Sequence, residues 1–216
     1  MKNVRHNFLN LPNSIEAPNI PKGSEAPSGI IQRIKNGVTD IESYVYPSYD
    51  GSLLGKVDAL VNWNDVANVQ GSGSYLQVEF KHGYVYPTYY SIKGYNADWC
   101  FAKEWILYGF NTPEGEMTII GENKSEGTTF CNSGYAGCNS DNWATFSVKP
   151  VKKAFKYFRM MLKGKDSCGN DNLLLSGIEF FGLYSIDGKN KRNTIFYRKC
   201  SYLPFCFVLK VIIYNR

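Results

Sequence analysis

Two lone charges interrupt apolar runs in the second half of the chain. Arg159 lies within KYFRMML, and Glu179 lies within LLLSGIEFFG. Such residues could form a catalytic pair, the carboxylate could bind a metal, or both could be structural. A charge near a core is costly unless it meets hydrogen-bonding partners, and no further calcium ligands accompany Glu179. We therefore predict that Arg159 and Glu179 are structural, paired with each other or with backbone carbonyl and N–H groups.

Aromatic residues in polar segments are the candidates for ligand contact. Tyr95, Trp99 and Phe101 fall in the loop sequence GYNADWCFAKEW, and Trp143 begins the strand-like WATFSV. An aromatic ring at a loop tip can stack on a sugar, wedge into a membrane or anchor a protein partner. The alternative is that these rings fold back and pack, as most aromatic rings do. Trp105, in register within EWILYGF, is predicted to be structural.

Signals for catalysis are sparse. The two histidines, His6 and His82, have no nucleophile context, and neither a nucleophile elbow nor a phosphate-binding glycine loop is present. The spacing of Cys131 and Cys138 does not fit a zinc knuckle, and no histidine pair supports them. We therefore predict a non-enzyme with no catalytic residues, no metal and no cofactor. An enzyme with a cryptic site is the remaining alternative.

The elements that would position these residues are strands. From about residue 38 onward, short segments alternate apolar and polar residues, as YLQVEF does over residues 75–80, and polar turns separate them. This pattern predicts an all-β, antiparallel sandwich or barrel. One short helix is predicted over GIIQRIKNG, because Ile30, Ile31 and Ile34 share a helical face and Gly37 can end the helix.

Composition divides the chain into three parts. Residues 1–28 hold four of the nine prolines and are predicted to be a flexible lead-in. Residues 29–184 form the predicted domain, and residues 185–216 a basic, then apolar, tail outside it. From Asp187 onward seven basic residues stand against one acid, so the preceding body is close to neutral. Nucleic acid is therefore not expected as a partner, and membrane contact through the tail is a minor alternative.

The two ends of the chain also bear on its compartment. The N-terminal residues lack a continuous apolar stretch, and FCFVLKVIIY near the C-terminus is about half the length that spans a bilayer. These features predict a cytoplasmic protein without a transmembrane helix. In such a compartment, most of the six cysteines would be reduced.

Five motifs in order resemble those of the coagulation factor 5/8 type C, or discoidin-like, family. That family shows an aromatic-Ile-Gln-x-Asp-Phe strand, a strand ending in Ile-Arg/Lys-Ser/Gly, a Trp-x-x-x-Gly segment, an aromatic-x-Arg strand and a closing Ile-Glu-Phe-aromatic-Gly. The matching segments are Tyr75–Phe80, Ile92–Gly94, Trp105–Asn111, Tyr157–Arg159 and Ile178–Gly182. The resemblance covers roughly residues 29–184.

The resemblance implies a galactose-binding-like jelly-roll β-sandwich of about eight strands, without catalytic residues of its own. Members of the family bind carbohydrates, phospholipid headgroups or protein partners through loops at one end of the sandwich. The calcium loop of sugar-binding relatives is not visible in NWNDVANVQGSG. We favour a non-catalytic, intracellular protein-interaction module. The alternative is a carbohydrate- or lipid-binding lectin-like protein, for which Tyr95, Trp99, Phe101 and Trp143 would be the contacts.

Overall fold

The computed structural model describes residues 14–17, 27–94, 102–124 and 143–186, together with the backbone of residues 194–197 and 209–212. In chain order, its strands are β1 (Ser14–Ala17), β2 (Val45–Gly55), β3 (Ala67–Phe80), β4 (Tyr84–Lys93), β5 (Trp105–Phe110), β6 (Thr118–Asn123), β7 (Trp143–Ser147), β8 (Tyr157–Leu162), β9 (Asn172–Leu175), β10 (Gly177–Ser185), β11 (Thr194–Tyr197) and β12 (Leu209–Ile212). Two helices are present in these residues, α1 (Ile30–Gly37) and α2 (Ala59–Asn62), with a 3-10 turn over Ile41–Ser43.

The strands form two main antiparallel sheets. The four-stranded sheet has the order β1-β10-β4-β7. The six-stranded sheet has the order β2-β3-β8-β5-β6, with β9 also paired to β3. Strands β11 and β12 pair only with each other. The predicted antiparallel β-sandwich is therefore confirmed, with ten strands in its two sheets within the described residues instead of about eight.

The core lies between the two sheets and is rich in aromatic rings. Phe180 on β10 meets Phe158 on β8 at a ring-centroid distance of 4.3 Å and Phe80 on β3 at 6.1 Å. All three side chains are at most 1% exposed. These contacts join the four-stranded sheet to the six-stranded sheet. Pairs of this geometry contribute about 0.5–1.5 kcal/mol each beyond the apolar area that they bury.

Helix α1 covers the outside of the four-stranded sheet. Ile30, Ile31 and Ile34 are fully buried, as their shared helical face predicts, and the helix ends at Gly37. Phe180 faces the six-stranded sheet, so its neighbour Glu179 faces the opposite side of β10, toward α1. Helix α1 therefore covers the outer face of β10, which would otherwise be exposed to solvent.

The N-terminal lead-in contributes a strand that the sequence did not predict. Within residues 1–28, β1 pairs with β10 from Ser14 opposite Ser185 to Ala17 opposite Gly182. Ile15 supplies the burial that holds this edge strand, since its side chain is 5% exposed. β10 also continues to Ser185, one residue past the predicted domain end. The rest of the predicted three-part division stays a prediction.

Two findings bear on the predicted compartment. Among the described residues, no helix is long and apolar enough to cross a membrane. Cys168, in the loop between β8 and β9, is disulfide-bonded. A structural disulfide differs from the reduced cysteines expected of a cytoplasmic protein, because the cytosol keeps thiols reduced. The predicted membrane contact of residues 185–216 concerns a segment whose side chains lie outside the described residues from residue 187 onward.

Candidate functional site

Among the described residues, the groups that donate hydrogen bonds to Glu179 are all backbone N–H groups. Its Oε1 accepts the N–H of Ile31 at 2.8 Å and that of Phe180 at 2.8 Å, and its Oε2 accepts the N–H of Gln32 at 2.9 Å. Its side chain is fully buried. Burial raises the pKa of Glu179 to about 8, although the backbone N–H groups act to lower it. Glu179 is therefore the cap of α1, whose first turn has no side-chain cap of its own.

Arg159 lies on the other sheet and does not contact Glu179. It belongs to β8, where Phe158 and Met160 point into the core, so Arg159 points to the outer face. The predicted pairing of Arg159 with Glu179 is therefore wrong, and among the described residues Arg159 donates to side chains and not to backbone carbonyls. The alternation of side chains along a strand places it on the opposite face from its apolar neighbours. Among the described residues it forms no salt bridge.

The side chains around Arg159 form a surface that we call the outer platform: Tyr75 and Gln77 on β3, Tyr108 on β5, and Arg159 and Met161 on β8. Gln77 and Tyr108 flank Arg159 in register on the two neighbouring strands. All five side chains are partly exposed. The outer platform thus carries aromatic rings and planar polar groups side by side on regular strands.

The guanidinium of Arg159 is held in place on this platform. Its central carbon lies 3.8 Å from the centroid of the Tyr75 ring, and its Nε donates to Gln77 Oε1 at 2.9 Å. Gln77 in turn donates from Nε2 to Ser48 Oγ at 3.2 Å. Among the described residues, none accepts a hydrogen bond from Nη2.

The other sequence-predicted residues divide into packed ones and ones outside the described residues. Trp105 is fully buried, and its Nε1 donates to Tyr90 Oη at 3.2 Å. Trp143 is 3% exposed and packs edge-on against Trp63. This burial gives Trp143 no open ring face for stacking, so we do not retain it as a ligand contact. The remaining candidates lie outside the described residues: Tyr95, Trp99 and Phe101.

Sequence reasoning overlooked the outer platform, although one signal for it was present. The alternation in YLQVEF puts Tyr75 and Gln77 on one face and the core residues on the other. Outward polar residues of a strand are usually solvated, and only the sheet register brings these two residues beside Arg159 and Tyr108. Among the described residues, no group of three or more His, Cys, Asp or Glu side chains could hold a metal ion.

No protein-family model and no curated protein matches the chain. Solved structures that resemble it include a family 32 carbohydrate-binding module of AlyQ in complex with 4,5-unsaturated mannuronic acid, with 15% identity over 64% of this chain and 95% of that one and a TM-score of 0.47. A family 32 module from Clostridium perfringens NanJ, in complex with galactose, shows 11% identity over 67% of this chain and 96% of that one, with a TM-score of 0.47. Another module of this family from Clostridium perfringens, in complex with GalNAc-β-1,3-galactose, shows 9% identity over 65% and 97%, with a TM-score of 0.48. The fold is assigned from the strand order and register of the chain itself.

Proposed function

We propose that the chain is a non-catalytic carbohydrate-binding module whose contact surface is the outer platform. The observation that supports this is the row Gln77–Arg159–Tyr108, in which a ring and two planar polar groups lie on adjacent strands. A sugar presents an apolar C–H face together with hydroxyl groups. An aromatic ring matches the apolar face, and amide and guanidinium groups match the hydroxyls.

The platform also offers these groups in a fixed geometry. Arg159 is stacked on Tyr75 and tied to Gln77, so less side-chain freedom is lost when a ligand binds. The described residues around it belong to regular strands, which hold side chains more accurately than loops do. This supports a site that is formed before the ligand arrives.

A protein-interaction module, the function favoured from the sequence, has one observation in its support. Met117 and Ile119 are 40% and 41% exposed, and they lie beside the platform, where Met117 Sδ is 3.9 Å from Arg159 Nη1. Exposed apolar side chains near an arginine are typical of protein interfaces. The test of carbohydrate binding therefore includes a search for a protein partner.

Binding to a glycan array, followed by calorimetric titration of one recognised oligosaccharide, tests the proposal. We expect Tyr108→Ala and Gln77→Ala each to weaken binding roughly fivefold to tenfold, because each removes one contact worth about 1 kcal/mol. Tyr49→Ala is the matched control. Tyr49 is 44% exposed, but it pairs with the inward-facing Leu76 and so lies on the other side of the sheet.

Three results would separate the alternatives. Loss of glycan binding in Trp99→Ala, with Tyr108→Ala unaffected, would keep the function and move the contact to the loop that holds Tyr95, Trp99 and Phe101. Glycan binding that is equally reduced by Tyr49→Ala would overturn the platform. No glycan signal, together with one specific partner in a pulldown that Ile119→Ala abolishes, would support the protein-interaction module instead.

We also propose that the chain works in an oxidising compartment. The disulfide at Cys168 supports this, because disulfides persist outside the cytosol and are rare within it. A carbohydrate-binding function fits such a compartment better than an intracellular protein-interaction role does. Localisation of the tagged chain in its own cells, with a thiol-trapping gel shift for Cys168, would test this.

A further inference from the structure

Two lysines converge on the carboxyl end of α2. Lys35, in the last turn of α1, donates from Nζ to the carbonyl of Asn62 at 2.9 Å. Lys93, the last residue of β4, donates from Nζ to the carbonyl of Trp63 at 3.5 Å. Because these carbonyls belong to consecutive residues, the two ammonium groups are brought close to one another from different elements.

The backbone that holds the two lysines is firmly placed. Trp63 has a φ of 63°, in the left-handed region that non-glycine residues seldom adopt, and its N–H donates to Ala59 O at 2.9 Å. Its indole Nε1 donates to Ile178 O at 3.3 Å, and its ring meets the Trp143 ring at a centroid distance of 5.0 Å. The Asn62 and Trp63 carbonyls therefore form a rigid support for Lys35 and Lys93.

The charges of these two lysines are not neutralised within the described part of the chain. Neither forms a salt bridge there, whereas Lys56 and Lys165 pair with Asp65 at 3.3 Å and Asp171 at 2.6 Å respectively. Burial, and then the charge of Lys93, lower the pKa of Lys35. A fold that holds two cations together in this way gains free energy when an anion binds between them.

We propose that Lys35 and Lys93 form a binding site for one oxyanion, the carboxylate or sulfate of an acidic saccharide. Each ammonium group carries three N–H donors and uses one on a carbonyl, so four remain for the oxygens of the anion. The aromatic body of Trp63, 5.2 Å from Lys35 Nζ, limits solvent on one side and strengthens the attraction. The saccharide part rests on the proposed function, whereas the oxyanion site does not.

The test compares the Lys35→Gln/Lys93→Gln variant with the wild-type chain. Glutamine keeps an N–H donor for each carbonyl and removes the charge. Lys56→Gln/Lys165→Gln is the control, since it removes the same net charge from lysines that already have acidic partners. The probes are an oligogalacturonate, a neutral galacto-oligosaccharide of equal length, inorganic sulfate, and phosphatidylcholine vesicles with and without anionic phospholipid.

We expect the wild-type chain to bind the acidic oligosaccharide roughly tenfold more tightly than the neutral one at low salt, since a charge-assisted hydrogen bond contributes at least that ratio. The preference should vanish in the Lys35/Lys93 variant, persist in the control and weaken as salt is added. An equal affinity of the wild-type chain for both oligosaccharides would overturn the proposal.

Titration of the lysine Cε resonances with sulfate separates this proposal from the proposed function. Sulfate should raise the pKa of Lys35, and Lys93→Gln should abolish that rise. If sulfate raises the pKa of Lys35 but no saccharide binds, the oxyanion site is supported and the carbohydrate function is rejected. If saccharides bind but sulfate leaves the pKa of Lys35 unchanged, the oxyanion site is rejected and the carbohydrate function is kept. Binding only to vesicles that contain anionic phospholipid would overturn the saccharide as the source of the oxyanion.

Discussion

Glu179 is a buried carboxyl group that accepts hydrogen bonds from three backbone N–H groups of the described residues. A carboxylate in this position can accept on both oxygens, whereas an amide has only one accepting oxygen. The residue that could have been a catalytic acid or a metal ligand therefore joins α1 to β10. Arg159 and Glu179 do not form a pair, because Glu179 is buried beside α1 whereas Arg159 faces outward and stacks on Tyr75.

Replacement of Glu179 by glutamine should lower stability by about 1–3 kcal/mol, because the new NH2 group leaves at least one buried N–H without an acceptor. Urea unfolding at a fixed pH below 4.5, where the raised pKa of Glu179 costs the wild-type chain no stability, measures this change. Glu42→Gln is a suitable control, since Glu42 is partly exposed on the 3-10 turn. A Glu179→Gln variant as stable as the wild-type chain would mean that the cap contributes nothing.

The pH dependence of folding carries a second signature of Glu179. Its pKa is raised from 4.5 to about 8 in the folded chain, so the folded state keeps a proton that the unfolded state loses above pH 4.5. Stability from this group is therefore greatest at low pH and falls as the pH rises toward 8, by on the order of 1 kcal/mol per pH unit. Glu179→Gln should remove this slope. An identical slope in the variant and the wild-type chain would contradict the assignment.

Ser176 offers a contrast between buried hydroxyl groups. Its Oγ is buried with no hydrogen-bond partner among the described residues, whereas Ser91 Oγ lies 2.6 Å from Thr145 Oγ1. We expect Ser176→Ala to be neutral or to stabilise by up to about 1 kcal/mol, and Ser91→Ala to destabilise by about 1 kcal/mol. Thermal melting of both variants measures the difference, and equal losses would show that Ser176 has a partner after all.

At the scale of elements, α1 is attached to β10 by packing and by close backbone approach. The three isoleucines of α1 are fully buried, and the N–H of Ile31 in its first turn donates to the Glu179 carboxyl group. Gly29, directly before α1, has no side chain because Glu179 occupies that space. A Cβ placed there would lie 2.4 Å from Glu179 Cδ.

Gly29→Ala should therefore destabilise the domain by about 1–3 kcal/mol through overpacking, although the backbone angles at Gly29 suit alanine. The amide protons of Ile31 and Gln32 should then exchange faster with solvent, because the helix must move away from the carboxylate. Hydrogen exchange followed by mass spectrometry or NMR measures this. Unchanged exchange at both amides would show that Glu179 moves in place of the helix.

At the scale of the whole molecule, β1 is an edge strand of the four-stranded sheet, and Cys168 in the loop between β8 and β9 is disulfide-bonded. Asp166 organises this loop, since its Oδ1 accepts the N–H groups of Cys168 at 2.9 Å and Asn170 at 2.8 Å. Asp166 is 3% exposed. The loop is thus ordered by local hydrogen bonds as well as by a covalent link.

Reduction should lower the stability of the wild-type chain by about 2–4 kcal/mol, since the unfolded state regains the freedom that the Cys168 disulfide removes. Melting with and without a phosphine reductant measures the change. The Cys168→Ala variant is the control and should respond less to the reductant. An equal response in both chains would assign the effect to other cysteines.

Much of the fold could be predicted from the sequence, because period-2 alternation and glycine-containing turns are local signals. Helix α1 followed from three isoleucines on one face, and most strands followed from their alternation. β1 could not be predicted, because four residues among prolines carry too little pattern. Its pairing depends on the free edge of β10, which is a property of the assembled sheet.

The candidate site was much less predictable. Tyr95, Trp99 and Phe101 lie outside the described residues, and Trp143 is packed, so the loop aromatics remain predictions or are set aside. The outer platform joins residues from three strands that are far apart in the sequence. Their proximity depends on sheet register, which local periodicity does not specify.

The sequence by itself determined that the chain is an antiparallel β protein with one short helix, because side-chain alternation is fixed by local backbone geometry. Only the tertiary structure decided that Glu179 is buried. In β8 the alternation already turns Arg159 away from Phe158 and Met160. In β10, α1 covers the outer side and the six-stranded sheet covers the inner side. Nearly every residue of β10 is therefore buried, and the alternation disappears. The burial of Glu179 depends on the packing of α1 against the outer side of β10, and no local sequence pattern in β10 encodes that contact.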